Sequence, residues 1–91
     1  MISDEEIESS ILYKLFLRRC WGGKHTSFEN LKKGFKEKEL GKGVLKRIND
    51  SGKALIRLGL LTVKPTNYGL EVSLNPHMKD EIIRKIQKLN L

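Results

Sequence analysis

Residues 42–76, KGVLKRINDSGKALIRLGLLTVKPTNYGLEVSLNP, decide the fold of this chain. Their first part has the 3.6-residue period of an amphipathic helix, which we predict to run from Lys42 to Leu58. Its inner side carries Val44, Leu45, Ile48, Gly52, Leu55, Ile56 and Gly59. Gly52 lowers helix propensity there, and close packing against another helix would offset that cost.

The second part of this stretch has the two-residue period of β-strands. Apolar and polar residues alternate over 61–64 and again over 70–74, and the turn-forming residues Pro65–Gly69 lie between them. We therefore predict a β-hairpin with a polar tip. Asn75 and Pro76 are types favoured at the N-cap and the first position of a helix, so a fourth helix should follow. Its apolar face would be formed by Met78, Ile82, Ile83, Ile86 and Leu89.

Two helices are predicted before this stretch. The first runs from Ser3 to Cys20, since Ser3 and Glu6 have capping-box spacing. Its apolar face carries Ile7, Ile11, Leu12, Leu15 and Phe16. After an extended link, Thr26 is predicted to cap a short second helix over Ser27–Lys33, with Glu29 completing the capping box. Its inward residues would be Phe28 and Leu31, and Phe35 would also join the core.

Three segments of this chain resemble the winged-helix domains of archaeal and bacterial transcription regulators: Leu55–Leu61, Lys64–Gly69 and Val72–Pro76. The resemblance extends over Lys24–Pro76. It implies an α+β winged helix-turn-helix fold, with a three-helix core, a β-hairpin wing and an additional C-terminal helix. It also implies that the helix over 42–58 lies in the major groove of double-stranded DNA, with the hairpin tip on an adjacent groove or the backbone.

Length and charge agree with a small nucleic-acid-binding domain. The 91 residues suffice for one domain, 1–91, because two cores would each be too small. The net charge is +7, and four of the 11 acidic residues lie among the first eight. Residues 9–91 therefore carry 18 basic and 7 acidic residues, a net charge of +11. Such a surface suits a polyanion, although a solvated lysine-rich surface would have the same composition.

The candidate DNA contacts follow from this arrangement. A polar stripe of the third helix is formed by Lys42, Lys46, Asn49 and Lys53, and Arg47 and Arg57 are further candidates on that helix. Asn49 is the first candidate for a base-edge contact, whereas Arg57 could instead favour the helix dipole. Phosphate contacts are expected from Lys32, Lys33, Lys36, Lys38 and Lys64, although residues 36–39 could equally form a solvated charged turn.

The wing would contribute Thr66, Asn67 and Tyr68, unless the Tyr68 ring covers the base of the hairpin. The start of the third helix offers lysine point charges rather than the bidentate side chains that discriminate bases. Binding dominated by the DNA backbone, or specificity from DNA shape, is therefore at least as well supported as base readout.

Other classes of function have little support in the sequence. No catalytic set, glycine-rich phosphate loop or zinc-ligand spacing is present, so neither an enzyme, a cofactor nor a metal site is expected. The acidic N-terminus and the absence of a long apolar run predict no targeting peptide and no membrane span. A cytoplasmic protein is expected, associated with the nucleoid in a prokaryote.

Two alternative functions remain open, a protein–protein interaction module and an RNA-binding winged helix. The first would show an exposed apolar patch, and the second would interleave aromatic with basic residues. Regulators with this fold often bind as dimers, which would place a homodimer contact on the first and last helices.

Overall fold

The computed structural model describes residues 2–35, 41 and 43–89. Within these ranges the chain forms four α-helices and one three-stranded antiparallel sheet, which confirms the α+β class and the predicted order of elements. The elements are α1 (Asp4–Leu17), β1 (Thr26–Ser27), α2 (Phe28–Lys33), α3 (Val44–Arg57), β2 (Leu61–Thr66), β3 (Gly69–Leu74), a 3₁₀ turn (Pro76–Met78) and α4 (Lys79–Ile86).

The predicted capping box begins α1. The Ser3 hydroxyl accepts a hydrogen bond from the Glu6 N–H (3.1 Å), and the Glu6 carboxylate accepts one from the Ser3 N–H (3.4 Å). The helix ends at Leu17, three residues before the predicted end. The prediction that Phe16 faces inward is wrong, because the chain reverses here and Phe16 packs edge-on against Trp21 at the margin of the core. The two ring centroids lie 6.3 Å apart.

The predicted cap of α2 is also wrong. Ser27, not Thr26, accepts the hydrogen bond from the Asn30 N–H (3.3 Å). Thr26 and Ser27 form β1, whose residues pair with Val72 and Glu71 of β3. This pairing fixes Thr26 in an extended conformation one residue before the cap. Phe28, Leu31 and Phe35 are buried as predicted.

Helix α3 carries its core contacts on one side. Val44, Ile48 and Leu55 are fully buried, whereas Leu45 was wrongly predicted to face inward and is 44% exposed. Leu45 shares a flank with Gly52 and Ile56, but it lies in the first turn of α3, two turns before the point where Phe28 covers that flank. The predicted start of this helix at Lys42 lies outside the described residues.

Gly52 of α3 lies directly against the Phe28 ring of α2. A Cβ atom at this position would lie 2.6 Å from Cζ of Phe28, so the aromatic ring occupies the space of the missing side chain. The close contact expected at Gly52 is therefore made by one side chain of another helix, Phe28 at the start of α2.

The hairpin is tighter than predicted, and β3 lies between β1 and β2 in the sheet. Pro65 and Thr66 belong to β2 and Gly69 to β3, so the loop has two residues instead of five. Gly69 has a φ of 128°, which side chains rarely allow. The Thr66 hydroxyl accepts from the Tyr68 N–H (3.2 Å) and donates to the Gly69 carbonyl (2.7 Å), which ties the tip together.

Hydrogen bonds connect the base of the hairpin to the segment after α1. The buried Ser73 hydroxyl donates to the Gly22 carbonyl (2.7 Å). The only hydrogen of the Ser73 hydroxyl is used in that bond. The Thr62 hydroxyl, whose oxygen lies 2.5 Å from the Ser73 oxygen, must therefore donate to Ser73. Asn75 accepts from the His77 N–H as the predicted N-cap, but the turn that follows is 3₁₀ and α4 begins only at Lys79.

All four helices and the sheet contribute to one core. Its fully buried apolar side chains are Ile7, Ile11, Leu12, Leu15, Leu31, Val44, Ile48, Leu55, Val72, Leu74 and Ile82. In the part of the chain that the structure describes, no helix has the length and apolar character needed to cross a membrane.

Ser9 on α1 gives a prediction for stability. Its hydroxyl is buried and has no hydrogen-bond partner among the described residues. Because such a group costs free energy and alanine favours helices, Ser9→Ala is expected to raise the free energy of unfolding by about 1 kcal/mol, measured by urea denaturation. Ser10→Ala on the same helix is the control for helix propensity. An equal gain from both substitutions would contradict the cost assigned to the buried hydroxyl.

Candidate nucleic-acid interface

The outward side of α3 is positively charged. Lys46, Lys53 and Arg57 are exposed and lie opposite the buried Ile48 and Leu55. Together with Asn49, they are called the α3 stripe below. Among the described residues, no acidic oxygen lies within salt-bridge distance of these three cations.

Asn49 sits at the edge of the α3 stripe nearest α2, and it is held there by Lys32. The Lys32 Nζ donates to Asn49 Oδ1 at 3.1 Å and also forms a salt bridge with Glu29 at 2.7 Å. The Lys32 side chain is only 16% exposed. Lys32, which was predicted to contact a phosphate, therefore already forms contacts within the protein. The sequence carried no local signal of the contact, because the two residues are 17 positions apart.

A groove joins the α3 stripe to the hairpin. It has a volume of about 90 Å³ and lies between α2, α3 and β3, lined by Phe28, Asn49, Gly52, Lys53, Ile56 and Leu70. Leu70 and Val63 on this side of the hairpin are each 39% exposed. The stripe and the hairpin thus border one continuous surface.

The hairpin tip projects into solvent. Tyr68 is 99% exposed, so the alternative that its ring covers the base of the hairpin is wrong. Asn67 and Lys64 are also exposed, with Lys64 opposite Glu71 across the strands. The hydroxyl of Thr66 is occupied by the two hydrogen bonds within the tip.

Arg47 lies on the flank of α3 that faces α1, apart from the stripe. Its Nη2 donates to Asp4 Oδ1 (2.8 Å) and to the Ile2 carbonyl (2.7 Å), and its Nε donates to the same carboxylate (3.0 Å). The side chain is 28% exposed. Arg47 therefore fastens the start of α1 to α3, and this use of its charge competes with the predicted contact to nucleic acid.

Acidic residues gather on the same flank. Asp4, Glu8 and Asp50 line a cavity of about 180 Å³ with Arg47. The α1 side of α3 is thus acidic, while its outer side is basic. A polyanion that approaches α3 would be attracted to the stripe and repelled from the α1 flank.

The remaining candidates are partly placed. Lys33 is exposed on α2. Lys36, Lys38 and Lys42 lie outside the described residues. Across 2–35, 41 and 43–89, no cluster of three or more His, Cys, Asp or Glu side chains that could hold a metal ion is found, and Cys20 is a buried free thiol.

Comparison of the chain with protein-family models, with curated proteins and with solved structures gave no match.

Proposed function

We propose that this chain is a winged-helix domain that binds double-stranded DNA, as a small transcription regulator or chromatin-type factor. The α3 helix would enter the major groove, and the β2–β3 hairpin would act as the wing. The observation that carries the proposal is the α3 stripe, whose three cations are exposed and have no acidic partner among the described residues.

The geometry around the stripe supports the same assignment. The hairpin borders the stripe across the shared groove, and its tip exposes Tyr68 and Asn67 to a ligand bound on α3. Lysine and arginine neutralise phosphates and release counterions, which provides affinity without sequence readout. Binding dominated by the DNA backbone follows from this composition.

The test compares two triple variants with equal reduction of charge. Lys46→Ala/Lys53→Ala/Arg57→Ala removes the cations of the stripe, whereas Lys79→Ala/Arg84→Ala/Lys85→Ala removes three from α4. Binding to a random duplex of about 20 base pairs is followed by fluorescence anisotropy at several salt concentrations. The stripe variant is expected to bind about 30-fold more weakly, and its salt slope should fall by about 0.9 for each phosphate that is no longer neutralised. The α4 variant should remain close to the wild type.

Equal weakening of DNA binding in both variants would indicate that affinity depends only on the net charge of the protein, and it would contradict the assignment of the DNA contact to the α3 stripe. No binding by the wild-type protein would contradict the proposal. Tighter binding to single-stranded RNA than to the duplex would favour the RNA-binding alternative.

A second candidate function, a protein-interaction module, is favoured by a separate surface. Phe16, Trp21, Pro76 and Ile83 line a largely apolar cavity of about 460 Å³ between the end of α1 and the start of α4, with Lys79 at its border. Leu17 nearby in sequence is 61% exposed. These are the two helices on which a homodimer contact was predicted. Sedimentation of the wild-type protein without DNA would reveal such self-association as a dimer mass.

A further inference from the structure

The Lys32 ammonium is fixed at the edge of the proposed DNA-binding surface. It lies 3.1 Å from Asn49 Oδ1, 2.7 Å from Glu29 Oε1 and 5.8 Å from the centroid of the Phe28 ring. Most lysine side chains extend freely into solvent, but this one is 16% exposed. Three contacts and the surrounding protein therefore hold its charge in one position.

This position determines how Asn49 presents its amide. An ammonium group has only donors, so the Asn49 atom that faces Lys32 must be the carbonyl oxygen. The planar amide then directs its NH₂ group away from Lys32. Among the described residues, no acceptor is hydrogen-bonded to that nitrogen. Asn49 therefore offers two donor hydrogens to a ligand.

The bases of DNA differ in what they offer to such a group. Adenine in the major groove presents an acceptor and an amino donor, and asparagine normally reads it with both its oxygen and its nitrogen. Here one lone pair of the oxygen accepts a charge-assisted hydrogen bond, and the ammonium beside it repels an adenine amino group that approaches the other lone pair. Guanine presents two acceptors, N7 and O6, which suit both the NH₂ donors and the nearby positive charge.

Resting on the proposed DNA binding, we propose that Lys32 is a positioning residue that makes Asn49 select guanine over adenine. Lys32 would act through Asn49 without contacting the base. Asn49 is thus assigned a base-specific contact within an interface that otherwise binds the DNA backbone.

The test uses a variant that removes the donor but keeps the shape of the side chain. Lys32→Met retains an unbranched apolar stem beside Phe28 and frees the Asn49 oxygen. Lys33→Met is the matched control, because it removes the same charge from the next residue, which is exposed. Asn49→Ala removes the amide that is proposed to contact the base. Circular dichroism first establishes that each variant is folded.

Each protein is then mixed with a pool of duplexes of randomised sequence, and the duplexes that it binds are recovered and sequenced. The wild type should enrich guanine over adenine at one position, and Asn49→Ala should abolish this enrichment. Lys32→Met is expected to reduce the guanine-to-adenine ratio at that position roughly tenfold, because no ammonium then repels the adenine amino group from the bidentate pairing. Lys33→Met should keep the wild-type preference and reduce only affinity.

The outcomes separate the two proposals. If the wild type binds no duplex, DNA binding itself fails. If the wild type binds but shows no guanine preference, or Lys32→Met leaves the preference unchanged, DNA binding stands and the role of Lys32 is overturned. If Lys32→Met does not fold, retention of the guanine preference by Asn49→Ala would still overturn the inference, because the base contact would then not involve the Asn49 amide.

Discussion

Replacing Gly52 with valine is expected to lower the free energy of unfolding by about 3 kcal/mol, at the upper end of the usual cost of overpacking a core. A Cβ atom would lie 2.6 Å from Cζ and 2.9 Å from Cε1 of Phe28, and valine adds two further carbons. The opposing gain in helix propensity over glycine is below about 1 kcal/mol. The steric clash therefore outweighs the gain in helix propensity, and the substitution should destabilise the protein.

Urea denaturation of the purified protein measures this change. Ala54→Val is the control, because it introduces the same β-branched side chain on α3 at a half-exposed position, away from Phe28. We expect the control to change stability by less than about 1 kcal/mol. Surface substitutions usually change stability by no more than about 0.5 kcal/mol. A change this small in Gly52→Val would contradict the prediction and would show that α2 can move away from α3.

Removing the ring on the other side of this contact should be equally damaging. Phe28→Ala is expected to lower the free energy of unfolding by about 3 to 4 kcal/mol, because it deletes a buried ring and leaves a cavity. Phe28 is 9% exposed, and Gly52 opposite it has no side chain to fill the space. Denaturation of Phe28→Ala by urea gives the value directly.

The double variant tests whether the two residues act through one contact. Valine at position 52 would partly fill the cavity left by Phe28→Ala, so the cost of the double variant should fall below the sum of the two single costs by about 1 kcal/mol or more. Strict additivity would mean that the close approach of Phe28 to Gly52 does not govern either effect.

Much of the fold was predictable because its signals are local. The Ser3–Glu6 capping box involves two residues on one turn, and Asn75 caps the N–H two residues further on. The apolar side of α3 and the alternation in β2 and β3 depend on periodicity alone. For the same reason, the exposed cations of the α3 stripe could be identified from the helical period.

The errors arose where distant parts of the chain compete with local patterns. Thr26 and Ser27 are both acceptable caps, and the choice was made by pairing with β3, much later in the chain. The error in the hairpin loop has a local cause instead: Pro65, Thr66 and Gly69 are residue types typical of turns, but here they continue the ladder.

The same limit applies to the candidate site. Arg47 meets Asp4 across 43 positions, and Lys32 meets Asn49 across 17. No spacing rule reports such contacts, so the sequence could not show that these two cations already have partners within the protein.

The opposite charges on the α1 flank and on the outer side of α3 also contribute an electric dipole across this helix. Asp4, Glu8 and Asp50 mark its negative end, and Lys46, Lys53 and Arg57 its positive end. In the field of any polyanion, a torque turns such a body before the surfaces touch. A larger fraction of collisions then begins in one orientation, and added salt removes this advantage by shortening the Debye length over which the torque acts.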